Sequence, residues 1–460
     1  MSNNASSFNF PSTIQQTKAV YFIGIGGIGM SAIARYFNHL GIEVSGYDKT
    51  PTKLTNQLEQ EGIKIHFTDD VNLIPKKIDF VVYTPAIPTH HTELNFYKNN
   101  NYSVVKRSDV LQWITDNTFN ICVAGTHGKT TTSTMIGHVL RDTGFGCNAF
   151  LGGIATNYNT NFWSSDKNNV VVEADEYDRS FLKLSPNIAI ITSVDPDHLD
   201  IYGTAENVAN AFVEFSNKIK SGGCLILKHG LKNADQFQVN DTCTYSVSNA
   251  NADIHIENLK VENGAYHFNV INTYWRLDDV VLNMGGLHNI ENALSAIGVA
   301  KYLKIDDDKI KRALVNFKGV KRRFEKVIDD NHILIDDYAH HPEELRALIE
   351  GVRSLYPTHH LTLIFQPHLF SRTNDLAGGF AESLDKADEV ILLPIYPARE
   401  LPMEGVTSKI IYDKMHLNNK KLMEKTEMLD YISSLKPSLI VMAGAGDIDV
   451  LVYKVKEQLS

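Results

Sequence analysis

Residues 119–140 read FNICVAGTHGKTTTSTMIGHVL, and this segment limits the possible folds more than any other. An apolar run ends in a loop holding Gly125 and Gly128, and apolar residues then recur at helical spacing. That is a strand–turn–helix unit of the kind that builds parallel α/β sheets. Such a loop turns backbone N–H groups and a helix N-terminus toward an anion, which makes Gly125, Thr126, His127, Gly128, Lys129, Thr130 and Thr131 candidate phosphate ligands. Lys129 is placed to reach β- and γ-phosphates, and Thr130 to hold Mg²⁺. The first glycine of the usual phosphate loop would fall at Val123, so ordinary kinases of that class are a poorer fit.

The same unit recurs upstream. Residues 18–41, KAVYFIGIGGIGMSAIARYFNHLG, form an apolar strand, a glycine turn and an apolar-periodic helix, and Gly24, Gly26 and Gly29 fit G-x-G-x-x-G. Asp48 follows about twenty residues later, where such folds place a ribose ligand. Taken alone the motif points to a diphosphate, and NAD is one candidate. Further strands are expected at IEVSGYD and DFVVYTPAI, and the block closes at the polar stretch near Thr115 to Thr118.

A chain of 460 residues exceeds what one core usually organises, and its 43% hydrophobic content supplies several. The expected fold class is α/β, with three successive α/β domains at 1–117, 118–319 and 320–460. The central one carries strands at NNVVVEAD and NIAIITSVD, a β-rich excursion over Thr242 to Leu282, and a helix at HNIENALSAIGVAKYL. The stretch GVKRRFE is the natural linker and a possible hinge. The last block alternates HILIDDYA, PEELRALIEGVRSLY, LTLIFQPH, a helix through Leu376 to Leu384, DEVILLPIY and SLIVMAGAG.

Polar residues directly after strands mark candidate clefts. Glu173 ends VVVEAD within a cluster that includes Asp175, Glu176 and Asp178, and such clustered carboxylates call for a cation. His198 follows another strand, beside Asp195, Asp197 and Asp200. In the last block stand Asp336, Asp337, Tyr338, His340 and His341, then Gln366, Pro367, His368 and Arg372. Zinc is not expected at His340 and His341, because adjacent residues on extended backbone point oppositely and no HExxH helix is present.

The net charge of -10 argues against a nucleic-acid surface. The N-terminus MSNNASSFNFPST lacks a signal-peptide pattern and no apolar run is long enough to span a bilayer, so the expectation is a cytoplasmic protein without membrane partners. Cys122, Cys147, Cys224 and Cys243 show no CxxC spacing and are expected as free thiols.

GxGGxGM, GTHGKTTT, a glutamate ending a strand, DHLDIYG, HNIENALSA, DDYAHHPEE and QPHLFSRT stand in this order over nearly the whole chain. In this arrangement the sequence resembles the Mur ligase family. The resemblance implies a Rossmann-like UDP-binding domain, a central P-loop-like ATPase domain and a C-terminal Rossmann-like domain that supplies the amino-acid site. It displaces the NAD reading, since the first turn then serves the diphosphate of a UDP-sugar through Gly24, Gly26, Gly27, Gly29, Met30 and Asp48. It assigns ATP to residues 125–131 with His288, Asn289, Asn292 and Arg323, and the amino acid to Tyr338, His340, His368 and Arg372.

Metal ligands by the same comparison are Thr130, Glu173 and His198, with two Mg²⁺ ions. No lysine occurs between Leu199 and Asn217, where several relatives carry a carbamylated one. Lys129, His340 and Arg372 are the implied catalytic residues, and His340 or Asp337 would take a proton from the incoming amine. GIGGIGM, the histidine in GTHGKT, DDYAHHP and YPARE resemble the member that adds L-alanine to UDP-N-acetylmuramic acid through an acyl phosphate. The alternative is a recycling ligase that adds a tripeptide to the same sugar. Leu369 departs from a pattern that often has arginine there, and Arg399 is a further candidate contact. Oligomeric state, monomer or homodimer, is left open.

Overall fold

The computed structural model describes residues 16–398 and 400–459; the MSNNASSFNFPST segment, Arg399 and the side chain of Asp200 lie outside the described residues. Three sheets carry the described chain, each with helices between its strands. By contact density the chain divides into two compact units. The first takes in residues through Ile154, Asn159–His255 and Asn292–Ala313; the second holds Ala155–Tyr158, Ile256–Glu291 and Leu314 onward.

Within the first unit, a five-stranded sheet runs in the order Lys64–His66, Glu43–Tyr47, Ala19–Ile23, Phe80–Tyr83, Val104–Lys106, with every neighbouring pair parallel. Strand order reverses at Ala19–Ile23, so the crevice at its carboxyl end is the natural ligand site, and the Gly24 turn occupies it. Helix Ile28–His39 buries Met30, Ala32, Ile33, Ala34, Tyr36 and Phe37. Each such large apolar side chain contributes about 1.5–3 kcal/mol on burial.

A second sheet centres on Phe119–Ala124, flanked in parallel by Asn169–Glu173 and Ile188–Ile191. It continues through Cys224–Lys228 and Thr242–Ser246 on one side and through Asn148–Ala155 on the other. Strand order reverses again at the strand that enters the phosphate loop, which repeats the logic of the first sheet. Cys122, Cys147 and Cys224 are buried and all four cysteines are free; burial pushes the Cys224 thiol up to about 12, so it is inert as a nucleophile.

The second unit holds the antiparallel hairpin Ala265–Asn272 and Trp275–Leu282, and a six-stranded sheet. That sheet runs Glu325–Asp329, Ile333–Asp337, Leu439–Ala443, Leu361–Phe365, Glu389–Leu392, Lys420–Leu422, antiparallel only at its first pair. Among the described residues, no helix is long and apolar enough to cross a membrane.

Candidate active site

The phosphate loop is shaped from the neighbouring strand. Thr126 N donates to Ser193 O at 3.3 Å, His127 N to Ser193 Oγ at 2.7 Å, and the Thr126 and Ser193 hydroxyls meet at 2.9 Å. Gly125 sits at φ +136°, and a Cβ there would stand 2.8 Å from Ser193 N, so only glycine fits. Gly128, at φ +82°, opens helix Lys129–Asp142 with no side-chain cap and no acidic residue in the first turn. The N-terminal N–H groups and dipole of that helix are therefore available to an anion.

Lys129 Nζ donates to Gly125 O at 2.6 Å and is held by Glu176 at 2.8 Å, both side chains being largely buried. Thr130 Oγ1 donates to Glu173 Oε1 at 3.1 Å, and Gly152 N donates to the other Glu173 oxygen at 3.0 Å. Glu176, Asp197 and His198 each bring one ligand atom within 4.8 Å of the others. His198 is held at φ +50°, its Nε2 3.9 Å from Glu176 and 3.7 Å from Asp197, and its ring lies against Tyr177. Carboxylates, an imidazole and a threonine hydroxyl next to a phosphate loop form a donor set that suits a divalent cation.

His127 is exposed, 4.0 Å from an equally exposed Asp195. Asn292 accepts from Thr132 Oγ1 at 3.0 Å, on the same helix as Lys129. Thr131 is buried in that helix.

The first glycine turn is built differently. Gly24 and Ile25 both donate to Tyr47 O, and Asp48 Oδ2 accepts from Gly26 N at 2.7 Å. A Cβ on Gly26 would strike Asp48 and Thr55, whereas one on Gly27 would meet nothing nearer than 3.5 Å. Asp48 thus braces the turn. Met30 is buried beneath it.

In the second unit, strands Ile333–Asp337 and Leu361–Phe365 present their following residues at the same end of one sheet. His340 Nδ1 lies 2.9 Å from Tyr338 O, a group that can only accept, so this nitrogen carries a hydrogen, and in the neutral ring Nε2 is the acceptor. His341 instead caps helix Pro342–Leu355, accepting from Glu343 N, so the two histidines serve separate ends of the turn. The His368 ring is 6.0 Å from His340 and stacks on Tyr396. Burial first, then the neighbouring His340 and Arg372, hold His368 below its usual pKa.

His368 Nδ1 and Arg372 Nη1 are both buried without a hydrogen-bond partner. Unpaired buried polar atoms of this kind are costly, and the guanidinium N–H of Arg372 calls for an acceptor. Leu369, at φ +67°, opens helix Phe370–Asp375, and its N–H donates to Tyr396 O at 2.9 Å. Burial lifts Asp337 to about 6, but its two oxygens accept from Phe324 N and Ala339 N, so it braces the turn that carries Tyr338 and His340.

Asn289 donates to Gly285 O at 2.7 Å, and His288 packs over Gly286. In the linker, Arg323 N donates to Val320 O, while its neighbour Arg322 binds Gly444 O and lies 4.9 Å over the Tyr338 ring.

Sequence reasoning missed Glu176 as the partner of Lys129, although its place three residues beyond Glu173 was a usable signal. It also missed Thr192 and Ser193, whose hydroxyls shape the loop from the strand beside it.

These sites and sheets define an α/β protein with a candidate phosphate loop beside a donor set suited to a divalent cation, and comparison with known proteins gives the family. The Mur ligase family catalytic domain matches residues 19–118, the Mur ligase middle domain 123–300, and the Mur ligase glutamate ligase domain 322–450. The chain belongs to the Mur ligase family. It is 49% identical over 451 residues to the UDP-N-acetylmuramate--L-alanine ligase of Porphyromonas gingivalis, covering 96% of this chain and 99% of that one. It is 46% identical to the enzyme of the same name from Flavobacterium johnsoniae, over 97% of this chain and 99% of the relative. Among solved structures it is similar to UDP-N-acetylmuramate-alanine ligase MurC of Thermotoga maritima, with a TM-score of 0.81, 28% identity, and 96% and 99% of the two chains covered. A murein peptide ligase of Psychrobacter arcticus shares the fold at a TM-score of 0.64 and 22% identity, covering 96% and 98%.

Proposed function

We propose that this chain joins L-alanine to the lactyl carboxylate of UDP-N-acetylmuramic acid, with ATP, giving UDP-N-acetylmuramoyl-L-alanine, ADP and phosphate in peptidoglycan synthesis. The observation that carries this reading is identity near one half, over almost the full length, with ligases of that name. Its domains divide at 117/118 and 319/320, into a UDP-sugar domain, an ATP domain and an amino-acid domain, and it works in the cytoplasm.

A carboxylate resists attack by an amine, so the γ-phosphoryl group of ATP is first transferred to it. Lys129 and the N-terminus of helix Lys129–Asp142 offset the charge that develops on that group. Arg372 binds the alanine carboxylate through the guanidinium nitrogen that is buried and unpaired, and His368 completes the contact. His340, with Nδ1–H turned to Tyr338 O, offers Nε2 to the ammonium of alanine and releases the neutral amine that attacks the acyl phosphate. The tetrahedral intermediate then expels phosphate and leaves the amide.

Thr130 and Glu173 would hold one Mg²⁺, and Glu173 with His198 a second, with Glu176 and Asp197 beside it; bound there, the ions would supply charge neutralisation. His288, Asn289, Asn292 and Arg323 are assigned to the ATP base and ribose side. Phosphate release from MgATP and UDP-N-acetylmuramic acid tests the reading: it should require L-alanine. Release with a tripeptide acceptor but not with alanine would replace it by the recycling reaction, and no release with either acceptor would remove it.

A further inference from the structure

Glycine at position 29 has no backbone reason to be there. It is the second residue of helix Ile28–His39 and is not one of the left-handed glycines, so its φ does not call for glycine. The guanidinium of Arg107 rests directly on the helix backbone here: a Cβ on Gly29 would stand 3.3 Å from its central carbon and closer to Nη1, so a side chain at 29 would make the arginine shift. Arg107 opens helix Arg107–Asp116, and its Nη2 is 3.5 Å from Asp175 Oδ2, with the side chain 25% exposed.

This arrangement is electrostatically incomplete. Helix Ile28–His39 has no acidic residue in its first turn and no side-chain cap at Gly27, so its N-terminus presents partial positive charge. A guanidinium packed against that end adds charge of the same sign; Asp48, on Gly26 N at 2.7 Å, is committed to the turn backbone, and the partly exposed Asp175 at 3.5 Å offsets the guanidinium only in part. An anion between helix end and guanidinium would remove the conflict. The turn GIGGIGMS supplies no cation of its own. Arg35, further along the same helix, is already committed to Glu61 at 2.7 Å and is 6% exposed.

We propose that Arg107 is the cationic ligand of the substrate diphosphate at the Gly24–Gly29 turn, and that Asp175 holds it while that site is empty. The assignment rests on the UDP-sugar reading of this turn. Lys129 is held in the same manner by Glu176, the very next residue, so one acidic segment carries the counter-ions of both phosphate sites.

The test is isothermal titration of UDP-N-acetylmuramic acid into wild type, Arg107→Ala, Arg107→Lys, Gly29→Ala and Asp175→Asn, with the KM for ATP measured on each. Arg107→Ala should weaken UDP-sugar binding about 10- to 100-fold, as expected for loss of one charge-assisted contact, with Arg107→Lys between it and wild type. Gly29→Ala, which keeps every charge but displaces the guanidinium, should weaken binding in the same direction. Asp175→Asn should tighten it by roughly two- to fivefold, since a competing counter-ion is removed. The KM for ATP should stay within about threefold for the Arg107 variants, which a merely structural defect would not respect.

Folded Arg107→Ala protein that binds the UDP-sugar like wild type would overturn the assignment. If Arg107→Ala does not fold, unaltered binding by Gly29→Ala would overturn it instead. Wild-type protein that binds ATP but no UDP-sugar would remove the functional reading itself, and the assignment with it.

Discussion

The two glycine turns of the first unit follow the same plan up to a point. Each leaves the carboxyl end of a central parallel strand where strand order reverses, and each opens a helix with no side-chain cap. They differ in where the positive charge comes from. At the second turn it is Lys129, four residues from Gly125. At the first it is Arg107, brought from the start of a different helix nearly eighty residues away. The glycines differ accordingly: Gly125 is required by its φ and by the Ser193 backbone, whereas Gly29 gives the Arg107 guanidinium room to lie against the helix. A phosphate site can therefore be half local and half tertiary, and only the local half shows in a motif.

The largest effect expected is at the locally encoded cation. Lys129→Ala should lower kcat/KM by about a thousandfold or more in the phosphate-release assay, because a preorganised charge on the transferred group is lost. Retained turnover would mean that the two turns differ less than the geometry implies. Arg372→Ala should raise the KM for L-alanine by roughly 10- to 100-fold, with Arg372→Lys recovering part of it, and should leave the UDP-sugar dissociation constant alone.

That division also explains what could be read in advance. The strands and helices around both turns were legible because apolar periodicity and glycine placement are local. So were Thr130 and Glu173, which the structure brings to 3.1 Å. Strands such as Asn148–Ala155 and Thr160–Trp163 were not, since NAFLGGIA is interrupted by a glycine pair and TNFW is only four residues long. Arg107 was invisible because nothing in VVKRSDV signals a partner at Gly29. Glu176 stood within the acidic cluster but its pairing with Lys129 needs the fold.

Backbone effects rank next. Gly125→Ala should destabilise by about 2 kcal/mol or more in urea unfolding, from a strained φ and a clash with Ser193. Gly27→Ala should stay within about 1 kcal/mol of wild type, because its φ is negative and the space is open. Equal losses at the two positions would contradict the strain and clash assigned to Gly125 and not to Gly27.

The sheet behind the first turn also carries a buried acid. Glu93 is fully buried; that burial, partly offset by the hydrogen bond from Tyr21, lifts its carboxyl to about 7. A raised carboxyl favours the protonated folded form. Its stabilising contribution is thus complete below the ordinary glutamate pKa and is lost as pH rises from there through about 7. Glu93→Gln should flatten the fall in stability between pH 5 and pH 8; an unchanged slope would show that Glu93 titrates normally.

The most direct test of two separate phosphate sites is equilibrium binding of both nucleotides to folded Lys129→Ala protein. The account predicts that a non-hydrolysable ATP analogue loses at least about a hundredfold in affinity while UDP-N-acetylmuramic acid stays within about threefold of wild type. A UDP-sugar affinity that falls in step with that of the ATP analogue would contradict it, because Lys129 would then be serving both turns.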